Sequence, residues 1–253
     1  MKKILGLVAL LALAGGVVFA QLPDLGGRTI TVGSDTTYPP FETVNEAGEI
    51  VGFDVDVVNA VCEKVNCVAE FQTTAWDGIL AALNAGEFDM VASGMTITEE
   101  RAMQVDFTDP YFTVDQAIAV RVEDEDLTLE DFTGEGNPYT LGAQVGTTNA
   151  ITAEALVGRD RVRLYDDFNS AIQGLINGDV DGVAIDDVTA DAFVQQYAGE
   201  LAVSIREVES GDRLGFAVRQ GDELIDALNA GIAAIDEDGT LDALVEKWFT
   251  GEQ

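Results

Sequence analysis

The chain has 253 residues, no histidine, and 46 acidic against 13 basic residues, which gives a formal net charge of −33 at pH 7. This strong negative charge argues against nucleic acid or an anionic membrane surface as the main partner. The absence of histidine excludes Ser–His and Cys–His catalysis and any histidine metal site. We expect no metal and no cofactor, and the length suits one domain or two lobes.

The first 20 residues are typical of a secretion signal. Two lysines at positions 2–3 precede the apolar residues 4–13, and the small-residue pattern at 18–20 ends before Gln21. A signal anchor that stays uncut is the alternative. We expect residues 1–20 to be removed and the rest to be exported.

Two cysteines, Cys62 and Cys67, lie five positions apart in this exported chain. An oxidising compartment favours one disulfide that closes a small loop. Two free buried thiols are the alternative. With no histidine and no further cysteine, the pair makes a poor metal site.

Strand and helix patterns alternate along the rest of the chain. Apolar spacing predicts strands at 29–32 and 68–71, a helix that begins near Asp54, and a helix over 77–85. This alternation indicates an α/β architecture with largely parallel strands. Further along, Gly211 is expected in a loop.

An acid and two aromatic residues follow the first two strands. Asp35 and Tyr38 lie in a loop stiffened by two prolines, and Trp76 follows the second strand. The two rings could clamp a flat or cationic group by stacking or cation–π attraction. Partial burial of Tyr38 and Trp76 in a core is the alternative.

The segment Ser93–Arg101 combines small residues, hydroxyls and one guanidinium after an apolar strand. Thr98 is the expected N-cap of a helix with two acids in its first turn. A guanidinium beside free N–H groups suits a carboxylate, because its planar fork makes two parallel hydrogen bonds. The alternative is an ion pair of Arg101 with Glu99 or Glu100.

A weak internal repeat relates residues 79–92 to residues 171–184. In each copy a helix is expected to end at a glycine, which favours the left-handed conformation, before a short apolar strand. The alignment places Gly94 opposite Asp186, both just past strand ends, where open α/β sheets bind ligands. Two similar lobes with Gly94 facing Asp186 follow, unless the repeat is only a common supersecondary unit.

The second copy of the repeat carries its own polar residues. Gln144–Asn149 offers hydroxyls and free N–H groups at an expected helix start, which suits an anion. Asp186 could accept from an ammonium group, and Asp187 is the better candidate for the helix N-cap. Together with Arg101, Asp186 would match the two charges of an α-amino acid.

Motifs spread over nearly all of the exported chain resemble one family. The motifs, in chain order, are Asp35–Glu42 (Asp-Thr-Thr-Tyr-Pro-Pro-Phe-Glu), Gly52–Asp56, Trp76–Ile79, Ser93–Thr98 with Arg101, Asp106–Tyr111, Gly146–Thr148, Asp186, Asp238–Thr240 and Lys247–Phe249. The chain resembles the extracytoplasmic solute-binding proteins of family 3, the polar amino acid receptors of ABC importers. The resemblance implies a type II periplasmic-binding-protein fold, with two α/β lobes joined by two crossing segments. Lobe one would be residues 21–112 plus 216–253, and lobe two residues 113–215.

The resemblance also assigns roles to single residues. Arg101, helped by Thr96 and Thr148, would bind the α-carboxylate of an L-amino acid. Asp186, helped by the Gly94 carbonyl and the Thr96 hydroxyl, would bind its ammonium group. Tyr38 and Trp76 would flank the side chain, with Asp35 near its far end. The expected ligand-binding residues are Asp35, Tyr38, Trp76, Ser93, Gly94, Thr96, Arg101, Gln144, Thr147, Thr148 and Asp186.

We therefore expect a periplasmic, monomeric receptor without catalytic residues. It would deliver a basic amino acid or glutamine to an ABC permease in the membrane. The resemblance also implies a disulfide near Cys62 and Cys67, although similar proteins space the cysteines more widely. A dehydratase-like enzyme on the same scaffold, with Asp35 or Glu42 as general acid, is the alternative.

Overall fold

The computed structural model describes residues 22–250, so the predicted signal peptide at 1–20 lies outside the described residues. The strands are β1 (Arg28–Ser34), β2 (Thr37–Tyr38), β3 (Glu42–Val44), β4 (Ile50–Val51), β5 (Cys67–Thr73), β6 (Met90–Val91), β7 (Val105–Phe107), β8 (Phe112–Arg121), β9 (Leu141–Gln144), β10 (Val162–Tyr165), β11 (Gly182–Asp186), β12 (Leu201–Leu214) and β13 (Ala217–Arg219). The α-helices are α1 (Phe53–Val65), α2 (Ile79–Ala85), α3 (Glu99–Ala102), α4 (Leu129–Thr133), α5 (Thr148–Val157), α6 (Phe168–Ile176), α7 (Asp187–Gln196), α8 (Leu224–Glu237) and α9 (Thr240–Val245).

Two five-stranded sheets organise these elements. The first has the order β5-β1-β6-β13-β7 and the second β10-β9-β11-β8-β12, while β2, β3 and β4 form a small third sheet. The chain passes from the first sheet to the second between β7 and β8, and returns between β12 and β13. The predicted two-lobed α/β fold is confirmed. Over residues 22–250, no helix is both long and apolar enough to cross a bilayer.

Parallel strands dominate the side of each sheet that carries the candidate residues. In the first sheet β1 runs parallel to β5 and β6, and in the second β9 runs parallel to β10 and β11. Valines of α1 bury their side chains with Ile30 and Val32 of β1 in one apolar cluster. This packing fixes the strands in place. Because parallel strands end at the same edge of their sheet, the segments that follow β1, β5 and β6 lie together, as do those that follow β9 and β11.

The two segments that join the lobes pair with each other. Phe112 at the start of β8 lies opposite Leu214 at the end of β12, in antiparallel register. Gly211, expected in a loop, lies instead within β12 with φ +85°. The pairing of β12 with β8 shifts register between 209 and 212. Such a bulge accommodates a left-handed glycine while long-range pairing keeps the strand continuous.

Local capping explains where the helices of the first lobe begin and end. The predicted helix over 77–85 begins two residues late, at Ile79, because Gly78 stands before it in the left-handed conformation, φ +84°. Gly86 ends it at φ +80°, as the repeat predicted. Asn66, also left-handed, ends α1 and turns the chain into β5. Across this turn Cys62 and Cys67 form the predicted disulfide.

Candidate functional site

A cavity lies between the lobes. Thirteen residues line it, and they include all eleven of the predicted ones. The lining residues are Asp35, Tyr38, Trp76, Ser93, Gly94, Thr96, Arg101, Gln144, Thr147, Thr148, Asn149, Phe168 and Asp186. Both lobes therefore contribute to one site.

Asp35 follows β1, and its carboxylate accepts hydrogen bonds from both lobes. The Thr37 hydroxyl donates to its Oδ1 at 2.9 Å, and Nε2 of Gln144, from the other lobe, donates to its Oδ2 at 2.6 Å. Burial raises the pKa of this carboxyl above its ordinary value. Oε1 of Gln144 is buried and has no hydrogen-bond partner among the described residues. This part of the cavity therefore presents acceptors.

The Ser93–Gly94 turn follows β6 and is held by two carboxylates that lie outside the cavity. The Ser93 hydroxyl accepts the Asp35 N–H at 2.9 Å and donates to Oε1 of Glu42 at 2.7 Å. The Gly94 N–H donates to Oδ2 of Asp54 at 2.8 Å. Both anchoring carboxylates lie outside the cavity lining, so the turn is held by groups behind the site.

Arg101 is held by backbone carbonyls of both lobes. The predicted cap is confirmed, since the Thr98 hydroxyl accepts the Arg101 N–H at 3.2 Å. The guanidinium donates to the carbonyls of Thr96 at 2.7 Å and Gly146 at 3.3 Å, and lies 5.1 Å above the Trp76 ring. Burial lowers the pKa of Arg101 to about 10, which leaves it charged at pH 7. The alternative ion pair with its helix neighbours is not formed in the described residues.

Asp186 lies at the end of β11, almost fully buried, 2% exposed. Its Oδ1 accepts from Nδ2 of Asn149 at 2.7 Å, and its Oδ2 accepts the Tyr38 hydroxyl from the other lobe. Burial raises the pKa of Asp186 to about 6. The prediction that Asp187 caps the next helix is wrong: Asp186 occupies the N-cap position, and Asp187 is the first helical residue. Its Oδ1 instead accepts the Asp115 N–H at 3.3 Å.

Threonines of both lobes meet beside Arg101. Thr147 caps α5 as predicted, since its hydroxyl accepts the Ala150 N–H at 3.1 Å, and it also donates to the Gln144 carbonyl. The hydroxyls of Thr148 and Thr96 lie 3.5 Å apart across the cleft. A helix start and two hydroxyls next to a guanidinium form a setting that suits a carboxylate.

The rings of Tyr38 and Trp76 are already engaged by protein groups. Tyr38 stacks with Phe41 at 5.1 Å and with Phe168 at 4.9 Å between ring centroids, and its hydroxyl binds Asp186. Trp76 carries Arg101 over its ring. Both residues line the cavity, but the structure uses their faces to orient neighbouring groups.

Asn149 and Phe168 are cavity residues that the sequence reasoning did not select. Asn149 is the second residue of α5, directly after the predicted Thr148, and its amide holds Asp186. Phe168 is the first residue of α6, after the Asp167 cap. The position just past a strand or cap was a usable signal for both residues. Which side chain of the first helical turn enters the cleft depends on how the lobes meet.

Comparisons with known proteins identify the family of this chain. The family model for bacterial extracellular solute-binding proteins, family 3, matches residues 30–251. The chain is similar to ABC transporter arginine-binding protein 1 of Escherichia coli, strain K12, at 33% identity over 87% of this chain and 90% of the relative.

Two solved structures extend the comparison. An ancestral arginine-binding protein bound to glutamine has a TM-score of 0.81 and 39% identity, over 88% of this chain and 98% of the other. The ancestral amino acid-binding protein AncCDT-1, a precursor of cyclohexadienyl dehydratase, has a TM-score of 0.77 and 36% identity, over 88% and 95% of the chains. The chain therefore belongs to the bacterial extracellular solute-binding proteins of family 3.

Proposed function

We propose that this protein captures an L-amino acid between its lobes and presents the closed form to an ABC permease, without catalysis. One observation carries the proposal: a guanidinium of the first lobe and a buried carboxylate of the second, Arg101 and Asp186, line the same cavity. A zwitterionic head group has the complementary pair of charges. The similarity to an arginine-binding relative supports this assignment.

The head group would be divided between the lobes. The guanidinium has five N–H donors, so its bonds to the Thr96 and Gly146 carbonyls leave donors for a carboxylate. The hydroxyls of Thr96 and Thr148 lie close enough to each other to share it. Asp186 would take the ammonium group. Because the two ligand charges meet opposite charges on different lobes, the ligand has extra affinity for the closed form and shifts the balance toward it.

The ligand side chain would reach Asp35 and the free Oε1 of Gln144. A buried carboxylate beside an unused amide oxygen favours a side chain rich in N–H donors. Arginine, lysine, ornithine and histidine meet this requirement, and glutamine offers an amide. An acidic side chain would be repelled by Asp35 and by the field of a chain with net charge −33.

The remaining parts of the proposal concern organisation and location. In the closing motion, the lobe formed by residues 21–112 and 216–253 would move toward the lobe formed by residues 113–215. The hinge would lie in the paired β8 and β12 segments. The strong net negative charge favours a monomer, since copies repel one another. The signal pattern of residues 1–20 and the extracytoplasmic family favour the periplasm.

A thermal-shift screen of the twenty amino acids tests the ligand class, on protein unfolded and refolded to remove carried ligand. We expect basic amino acids and glutamine to raise the melting temperature. The variant Asp35→Asn should lose most of the shift with basic ligands and keep more of the shift with glutamine, because an amide retains hydrogen bonds but no charge. Asp160→Asn, an exposed site, is the control. Stabilisation by dicarboxylic or apolar ligands alone would contradict the proposal.

An acid–base enzyme on the same scaffold is the second candidate. Asp35 favours it, since burial raises the pKa of this cavity carboxyl, which is the direction that a general acid requires. Glu42 is buried behind the Ser93–Gly94 turn and does not line the cavity, so of the two candidate general acids only Asp35 lies there. Chromatography of cyclic hydroxy acids incubated with the protein should show no loss of water, whereas turnover abolished by Asp35→Asn would favour the enzyme.

A further inference from the structure

Two fully buried carboxyl groups lie directly behind the Ser93–Gly94 turn. Glu42, the first residue of β3, and Asp54, in the first turn of α1, are each 0% exposed. Burial is the main cause that raises the pKa of Glu42 well above its usual range, and the charge of Asp54 adds to it. Burial likewise raises the pKa of Asp54 to about 7. Neither group lines the cavity.

Within residues 22–250, the hydrogen bonds that these two side chains make with other residues lead to the ligand site or to the joining segments. Asp54 accepts the Gly94 N–H at 2.8 Å and the Tyr111 hydroxyl at 2.8 Å, and Tyr111 immediately precedes β8. Oε1 of Glu42 accepts the Ser93 hydroxyl at 2.7 Å, and that hydroxyl in turn accepts the Asp35 N–H. One buried pair thus supports the backbone at both Gly94 and Asp35.

No described cation compensates the two carboxyls. The titratable groups that face them are acidic or phenolic: Asp35, Tyr38 and Tyr111. Lys247, from the C-terminal segment beside α1, binds Asp56 at 2.6 Å on the surface. Two adjacent buried anions without a cation are strongly disfavoured. The Glu42 and Asp54 side chains lie within hydrogen-bonding reach of each other, and two carboxyls can share such a bond only if one of them holds a proton. Oε2 of Glu42 has no other partner among the described residues, so it is the atom available to carry that proton.

We propose that Glu42 and Asp54 hold one proton between them, carried by Glu42, and that this acid–carboxylate pair positions the Ser93–Gly94 turn for ligand binding. The binding part of this inference rests on the proposed function. Asp54 has to be the anion because it accepts two hydrogen bonds, from Gly94 and Tyr111. By engaging the Gly94 N–H, it removes a donor from a site that must accept an ammonium group. Neutral Glu42 can still accept from Ser93 through Oε1.

Glu42→Gln mimics the neutral acid and provides the first test, made without ligand. A buried carboxyl with a raised pKa contributes stability that is present at low pH and lost as pH rises toward its folded value. Wild-type protein should therefore lose stability relative to Glu42→Gln as pH rises above about 5, by up to tenfold in the unfolding equilibrium per pH unit. The exposed control Glu46→Gln should show no such trend. A pH-independent difference between Glu42→Gln and wild type would overturn the proposal.

Affinity for L-arginine and L-glutamine, measured by calorimetry at pH 7, provides the second test. Glu42→Gln should bind within about threefold of wild type, while Asp54→Asn should lose about tenfold or more, since it replaces a double acceptor with a group that also carries donors. Wild-type affinity in Asp54→Asn, or equal losses in both variants, would contradict the positioning role. If Asp54→Asn does not fold, the ligand-free pH comparison decides. If wild type binds neither probe, the proposed function fails while the pH comparison stays interpretable.

Discussion

At the scale of single residues, the site holds its charged groups in place with neutral partners. Arg101 is held by two carbonyls and a ring, and Asp186 by an amide and a phenol. Each group is oriented without losing its charge to a partner of opposite sign. Such preorganisation lowers the entropy lost when a ligand is ordered in the site.

Replacement of Arg101 should strongly weaken binding of every amino acid. Arg101→Ala removes about two charge-assisted hydrogen bonds, each worth roughly 1.5–3 kcal/mol, so we expect a loss of about a hundredfold or more. Arg101→Lys should be intermediate, since it keeps the charge without the fork. Calorimetric titration measures both, with the surface variant Arg206→Ala as control. Near-normal affinity in Arg101→Ala would refute the carboxylate assignment.

The raised pKa of Asp186 implies that ligand affinity depends on pH. An ammonium ligand requires the ionised carboxylate, and the free protein takes up a proton as pH falls through about 6. Affinity should therefore decrease below about pH 6, by up to tenfold per pH unit. Asp186→Asn should bind more weakly at pH 7 and show a flatter profile between about pH 5 and about pH 7. The exposed Asp126→Asn should follow wild type, and an unchanged slope in Asp186→Asn would count against the role.

At the scale of elements, short turns after parallel strands carry most of the site. Asp35 follows β1, Trp76 follows β5, Ser93 and Gly94 follow β6, and Asp186 ends β11. A strand cannot shift without disturbing its sheet. The turn that follows it along the chain is therefore held in a fixed position. The backbone of the Ser93–Gly94 turn is also confined by the Tyr38 ring.

Gly94→Ala should be more costly than an ordinary substitution at a left-handed glycine. Gly94 has φ +48°, and a Cβ there would lie 2.4 Å from Cε1 of Tyr38. Gly86 has φ +80° but open space around it, so Gly86→Ala measures the cost of the backbone conformation without the cost of overpacking. We expect about 1 kcal/mol for Gly86→Ala from its backbone conformation, and about 1–3 kcal/mol more for Gly94→Ala from overpacking. Urea denaturation measures both, and equal losses would show that Tyr38 yields without cost.

At the scale of the whole molecule, the charge is large and of one sign. Removal of Lys2 and Lys3 with the predicted signal peptide changes −33 to −35. Self-repulsion of this size destabilises a compact state at low ionic strength. It also disfavours association with other acidic surfaces.

Salt should therefore stabilise the ligand-free protein. An increase from about 0.1 M to about 1 M NaCl shortens the screening length from roughly 10 Å to roughly 3 Å. We expect the melting temperature to rise over this range, with equal shifts in NaCl and KCl if screening is the cause. A melting temperature that falls, or that responds to one cation only, would contradict this explanation.

The sequence by itself predicted the strand and helix alternation, the disulfide, and eleven of the thirteen residues that line the cavity. Periodicity is a local property, and residues just past parallel strand ends gather at one edge whatever the details of packing. The sequence analysis did not select Asn149 and Phe168, because the pattern of a helix start does not indicate which side chain of the first turn enters a cleft. Only the tertiary structure decided how Arg101 is held, that Tyr38 binds Asp186, and that Glu42 meets Asp54. These contacts join residues far apart in the chain, and the packing of one element on another, which no local pattern encodes, sets their geometry.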